Sequence, residues 1–293
     1  MALVKLISDL QRLHKWALLI WHGDHGWHPD SEQIAKELHL WCEQNGLSFC
    51  SERTTKANTR NEAAARKWRY DSLARQAAKL SAIEPGHPCN HVLTGHTATD
   101  RAETVIMNLA RGTDLAGLTT LKESRVLEGK IQLVRPILDF SRTETNKICE
   151  EMQLPVWVDP SNSNLNLTRN RIRQEVLPVL ESLHSGCSLR ISSLAERLAH
   201  HTEDQQTISL LAIKALSQSN GLCRKDLASI PVTSRSTLLA KWLKKEGVSA
   251  LSARQLNEIS HKIEQKNPPG CQYLSKGWKI RWSKELVQLE QPN

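Results

Sequence analysis

The sequence predicts an α/β fold, a Rossmann-like parallel sheet followed by a smaller, mainly helical domain. Three observations predict it. Short apolar runs at Trp16–Gly23 (WALLIWHG), His91–Gly95 (HVLTG) and Lys130–Leu138 (KIQLVRPIL) are the right length for strands buried on both faces. Segments of helical periodicity alternate with them, which is the pattern of a layered sheet with crossover helices. After about Leu183 the strand-like runs give way to long helical stripes, so the domains are read as 1–182 and 183–293.

The elements follow in order. Leu3, Leu6, Ile7, Leu10 and Leu13 share a helix face that starts at the first residue, with no capping residue ahead of it. The Trp16–Gly23 strand comes next. Ile34, Leu38 and Trp41 then mark a helix that Gly46 stops, and the alanine-rich Glu62–Leu80 is a second helix. His91–Gly95 is a strand that feeds a helix closed by Gly112. In its first turn Asp100 and Glu103, three residues apart, share a face. Acids suit a helix N-terminus for dipole reasons alone. Here, however, they also lie at the carboxyl end of a strand, where ligands bind in such folds. The Lys130–Leu138 strand precedes Ser141–Glu144 (SRTE), a capping-box spacing that opens a helix to about Met152, and Asp159–Asn162 (DPSN) is a turn. In the second domain, Ile191, Leu194 and Leu198 continue into Ile208, Leu211 and Ala215. Ser252–Ile263 is a capped helix. Trp278, Ile280 and Trp282 alternate as on one face of a hairpin. These tryptophans face either a core or, less commonly at such spacing, a stacked base.

Composition narrows the function classes. The 293 residues carry a net charge of +8, which fits either a phosphate-bearing partner such as nucleic acid or a solvated basic surface. No run of eighteen apolar residues occurs, and the N-terminus lacks the order of a secretory signal. Seven cysteines without a CxxC pair read as reduced thiols of a cytoplasmic protein and argue against a cysteine-ligated zinc or iron–sulfur centre.

Three segments carry the chemistry: Trp21–Ser31 (WHGDHGWHPDS), Thr94–Thr104 (TGHTATDRAET) and Asp159–Pro178 (DPSNSNLNLTRNRIRQEVLP). With EAAARKWRYDSLA and LARGTDLAGL in the same order, they resemble the tRNA(Ile)-lysidine synthases, within the PP-loop ATP pyrophosphatase group, from Met1 to about Leu180. The resemblance implies an adenine nucleotide alpha hydrolase-like fold and an ATP-dependent carbon–nitrogen ligase, with 1–182 the adenylation domain, incomplete at its N-terminus, and 183–293 a tRNA-binding or substrate domain. Such an enzyme adenylates the C2 oxygen of the wobble cytidine in an isoleucine tRNA with a CAU anticodon. Free L-lysine then displaces AMP to give lysidine. ATP and Mg²⁺ are the implied cofactors. Asp100 and Glu103 match the family's acidic positions and are the catalytic candidates, with Asp100 alternatively a Mg²⁺ ligand. The resemblance places Asp24, His25, Gly95 and His96 on the nucleotide pocket wall, against loop-internal hydrogen bonding for Asp24 and His25 and a capping or packing role for His96. A metal reading of the histidine-rich loop is the weaker one. Where many relatives have His and Asp, this chain has Thr97 and Thr99; His96 stands one position early, and Thr99 can cap the helix. Arg169, Arg171 and Arg173 are candidates for tRNA or reacting phosphates, against a salt-bridged helix face with Glu175. A second cluster, Arg66, Lys67 and Arg69, reads as solvated surface.

One family feature is missing. The group's SGGxDS loop, whose backbone N–H groups cradle pyrophosphate, occurs nowhere in this sequence. The chain therefore reads as starting just after that loop, with the first strand of the sheet absent and an apolar sheet edge left open. A coding start upstream would restore the loop, and the intact downstream segments fit that. A genuinely shortened chain would instead be a non-catalytic RNA-binding remnant. Another PP-loop tRNA-modifying enzyme is the third reading. The polypeptide as written is expected to bind ATP poorly, and isothermal titration checks this; tight binding would contradict it.

Overall fold

The computed structural model describes residues 1–26, 30–54, 62–157, 164–248 and 251–291. The turn Asp159–Asn162 and residues 27–29 of the histidine-rich loop lie outside the described residues. The chain forms two compact units, Met1–Ala199 and His200–Asn293.

In the first unit, α1 (Ala2–His14) leads into β1 (Leu19–Asp24), α2 (Ser31–Gln44) and β2 (Ser48–Arg53). The helix α3 (Glu62–Ile83) precedes β3 (His91–Leu93) and α4 (Ala98–Ala110). A short α5 (Leu115–Leu118), the strands β4 (Ser124–Glu128) and β5 (Ile131–Val134), and α6 (Arg142–Glu151) follow. Strands β1 and β2 pair in parallel, Leu19 opposite Ser48. Strands β3 and β5 pair in parallel, and β4 joins β5 antiparallel with a bulge between Val126 and Glu128. Among the described residues the sheet is therefore in two pieces, and β1 and β3 each have one edge that no described strand occupies. The sequence pattern misses β2 and β4. SFCSER and SRVLE carry too few apolar residues to stand out, and they form because a neighbouring strand offers its ladder.

Two small cores position the ligand end of this unit. Ala77 of α3 packs with Val92 and Leu133, joined by Tyr70 and Leu73. Ala102 of α4 packs with Ile172 and Leu177, joined by Ile106, Leu180 and Ile191. The second core holds α4 against a continuous helical run: α7 (Thr168–Arg171), a π-helical turn (Ile172–Val176) and α8 (Leu177–Leu183). Pro178, at the start of α8, has no N–H to give to the preceding turn, which is consistent with the widened π geometry there.

The boundary between the units falls inside α9 (Cys187–Leu216). The second unit combines α10 (Arg224–Ser229), α11 (Val232–Lys245) and α12 (Ala253–Lys262) with a five-stranded sheet, β6 (Ser217–Gln218), β7 (Gly221–Cys223), β8 (Gly270–Tyr273), β9 (Lys279–Trp282) and β10 (Leu286–Glu290). Its strand order is β6-β7-β10-β9-β8, antiparallel throughout. Leu222, Ile280, Trp282 and Val287 on one sheet face join Leu239, Trp242 and Ile259 in the core. Trp282 is thus a core residue and Trp278 packs beside it, as their alternation suggests.

Candidate functional site

The site is built on the first turn of α4. Thr97 caps that helix: its Oγ1 accepts the Asp100 N–H, and the Asp100 carboxylate accepts the Thr97 N–H at 2.8 Å and its hydroxyl at 2.9 Å. The dipole and capping reading of Asp100 is therefore real, but it accounts for only one of the two oxygens, Oδ2. The cap is Thr97 rather than Thr99. Thr99 Oγ1 instead accepts the backbone N–H of Arg142, which brings the start of α6 to the same place.

The other oxygen, Asp100 Oδ1, faces three guanidinium groups: Arg169 at 3.0 Å, Arg173 at 3.4 Å and Arg142 at 3.5 Å. Glu103, fully buried, accepts Arg169 Nε at 2.7 Å and Arg173 Nε at 2.6 Å, with Arg173 Nη2 at 2.9 Å from its second oxygen. Among the described residues two carboxylates thus hold three arginines, and forked guanidinium donors are well matched to carboxylate or phosphate. The spacing explains the clamp. Arg169 and Arg173 are four residues apart and share one helix face, and the Ala102–Ile172–Leu177 core presses that face onto α4. Arg171 points elsewhere; it is exposed and pairs with Glu175 at 3.0 Å.

Electrostatics follow from this packing. Burial acts to raise the Asp100 pKa, but Arg169, the Thr97 N–H, Arg142 and the Thr97 hydroxyl outweigh it and hold the carboxyl below its ordinary value. Burial, as the largest effect, pushes His96 down to about 4; Asp100 pulls it up, and Arg135, Arg66 and Arg169 push it down further. His96 is therefore a neutral imidazole at neutral pH, with Nδ1 3.0 Å from Thr94 Oγ1. Gly95 lies against Leu3 of α1 and Ile137, at ordinary contact distance for an added Cβ.

Asp24, buried at the end of β1, accepts the Gly26 N–H at 2.7 Å and pairs with Arg53 of β2 at 3.3 Å. His25 meets Arg69 of α3 at 2.9 Å and stacks edge-on against Trp68. The described contacts of both residues thus run to β2 and α3, while Arg66 of the same α3 acts electrostatically on His96. Arg66 and Arg69 are both exposed, and Arg69 also reaches the histidine-rich loop through His25. Sequence reasoning missed Arg142, which it treated only as part of a capping signal, and nothing in its local pattern marks it. Among the described residues no three His, Cys, Asp or Glu side chains cluster for a metal ion.

Residues 1–180 match the PP-loop domain family. The chain is 53% identical over 289 residues to the tRNA(Ile)-lysidine synthase of Prochlorococcus marinus, covering 99% of this chain and 86% of that protein. It is 45% identical over 296 residues to the tRNA(Ile)-lysidine synthase of Parasynechococcus marenigrum, covering 100% and 86%. The chain belongs to the tRNA(Ile)-lysidine synthase family. The U34-tRNA thiolase NcsA from Methanococcus maripaludis shares the fold, with a TM-score of 0.53 over 67% of this chain and 68% of that one, at 20% identity. For a tRNA(Ile)-lysidine synthase the sheet with α4 at a strand's carboxyl end is the PP-loop, adenine nucleotide alpha hydrolase-like scaffold. The arginine-clamped carboxylates lie on the first turns of α4, which follows the carboxyl end of β3.

Proposed function

We propose that the protein ligates free L-lysine to C2 of the wobble cytidine in an isoleucine tRNA with a CAU anticodon, in the cytoplasm, at the expense of ATP. Family membership across nearly the full chain carries this reading. It favours the ligase over an RNA-binding remnant or a different PP-loop tRNA-modifying enzyme. No helix among the described residues is long and apolar enough to cross a membrane.

The reaction has two displacements. The cytidine C2 oxygen bonds to the α-phosphorus of ATP and pyrophosphate leaves. The lysine amine then bonds to C2, the C2–oxygen bond breaks, AMP leaves, and the amine gives up a proton. The first step places negative charge where Arg142, Arg169 and Arg173 converge, and donors fixed in advance are worth most at such a point. Fixing Arg169 and Arg173 is the role of Glu103. With no exposure and both oxygens engaged, it positions the arginine forks. The second step needs a group to bind an ammonium and take its proton. Guanidinium cannot accept a proton and both Glu103 oxygens are engaged, so Asp100 is the assigned acceptor, through Oδ1, the oxygen outside the capping box, once the reacting phosphates draw the guanidinium groups away from it. Its carboxyl is held below the ordinary value and so is ionised at neutral pH. Neutral His96, with Asp24, His25 and Gly95, is assigned to the nucleotide side, where an uncharged imidazole exchanges hydrogen bonds without adding charge.

Mg²⁺ would neutralise the ATP phosphates. The donor set around Asp100 does not fit it, because Oδ1 faces three guanidinium groups and Oδ2 two threonine donors. No step is assigned to the metal here.

Incubating the purified protein with lysine, a transcript of the isoleucine tRNA and ATP raised until its effect saturates, because weak ATP binding is expected, then analysing the nucleosides by mass spectrometry, tests the reading. Lysidine formation that depends on both small molecules is expected. Lysine-independent modification, or none with a correctly folded protein, would contradict it.

A further inference from the structure

The second unit holds fourteen Lys and Arg against eight Asp and Glu, so most of the net charge of +8 lies in this smaller part of the chain. Its sheet has two unlike faces. Ile280, Trp282 and Val287 turn inward to the core. The alternating positions turn outward, and the cross-strand pairs Tyr273–Lys279 and Cys271–Arg281 set the register of that outer face. Tyr273 is 76% exposed, the one large apolar side chain so exposed on the described strands of this sheet. The Lys279 ammonium sits 5.6 Å from its ring centroid. Glu290 of β10 holds Lys279 at 3.1 Å and Arg281 at 2.8 Å, which orders both cations on this face and leaves N–H groups of each to spare. The β8–β9 connection adds an exposed Lys276 in a left-handed backbone conformation, φ 57°, next to Gly277 at φ 78°.

An exposed ring with an ammonium beside it, a second held cation on the same sheet face and a third in the adjoining connection fits the partner whose building block joins a flat base to a phosphate. We infer that the outer face of the β8–β9 hairpin is an RNA contact: Tyr273 stacks on an unpaired or helix-terminal base of the tRNA, and Lys276, Lys279 and Arg281 hold the adjoining phosphates. The inference rests on the reading that tRNA is the substrate, but it concerns binding, far along the sequence from the α4 chemistry.

The test is binding of a fluorescent tRNA transcript by the full chain, without ATP or lysine, across a salt series. Tyr273→Ala is expected to weaken binding about tenfold, as loss of one stacked base does, while Tyr273→Phe stays within about twofold. Lys279→Ala is expected to lower the slope of log affinity against log salt by about 1. Thermal melting confirms that each variant folds. Unchanged affinity in Tyr273→Ala, or equal losses in the Ala and Phe variants, overturns the inference, and so does a folded wild-type chain that binds no tRNA. Lysidine formation is assayed in parallel. Binding loss in Tyr273→Ala with no lysidine from wild type defeats the catalytic reading alone, and unchanged binding with normal lysidine defeats this inference alone.

Discussion

Two pairs of arginines, Arg224 with Arg235 and Arg169 with Arg173, do opposite things in this chain. In the second unit Arg224 donates to four backbone carbonyls, Ile263 at 2.8 Å and Ser283, Glu264 and Asn267 at 2.7 Å each. Arg235 likewise bonds the carbonyls of Leu227, Ala228, Ile230 and Ser260. In the first unit Arg169 and Arg173 bond carboxylates. A ring of carbonyls is fixed by the fold and has no other use, so it ties loops together. A carboxylate can exchange one cation for another, and its arginine can exchange one anion for another. The first arrangement serves structure, and the second is suited to a site that must accept phosphates and an amine in turn.

The largest expected effect breaks the structural half of the comparison. Arg224→Met strands four carbonyls and should destabilise the second unit by about 3–5 kcal/mol. Urea unfolding measures this, and a loss under about 1 kcal/mol would mean those carbonyls find other partners. On the functional side, Glu103→Gln keeps the shape but removes the charge that holds the Arg169 and Arg173 forks. Lysidine formation should fall about a hundredfold, a size typical of a lost electrostatic preorganiser. Near-normal turnover would show that the arginines need no anchor.

A pH prediction sharpens the same contrast. His96 is held at about 4 against 6.5 in the unfolded chain. Between those values the unfolded state binds a proton that the native state does not, so stability rises with pH across that window. It is fully present above about 6.5 and lost on acidification toward 4, by up to about 3 kcal/mol. His96→Gln should flatten that part of the stability–pH curve, and an unaltered curve would locate the titration elsewhere. The smallest effect belongs to Arg171→Ala, on the same helical run but paired only with exposed Glu175. It should change turnover by less than about twofold; a loss comparable to that of Arg173→Ala would erase the distinction between clamped and solvated arginines.

Local pattern made part of this legible. The apolar runs around Leu19–Gly23, His91–Leu93 and Ile131–Val134 are strands, and the acidic turn of α4 is a capped helix start, because burial period and capping chemistry are written within a few residues. Polar strands such as Ser48–Arg53 were not legible, since only a neighbour's hydrogen bonds make them strands. The site was half legible. Asp100, Glu103 and the 169–173 arginines stood out as types. That Arg169 and Arg173 close onto Glu103 across more than sixty residues, while Arg171 does not, depends on the packing of α4 against the π-helical turn. Arg142 and Tyr273 carried no local signal at all; exposure and register reveal them.

The central claim is that Asp100, among arginines at the head of α4, receives the incoming amine. Its most direct test is single-turnover lysidine formation by Asp100→Asn, with tRNA affinity and melting temperature measured on the same preparation. The account predicts a loss of about a hundredfold or more in lysine transfer, with tRNA affinity unchanged. Wild-type transfer in a folded Asp100→Asn protein would contradict it.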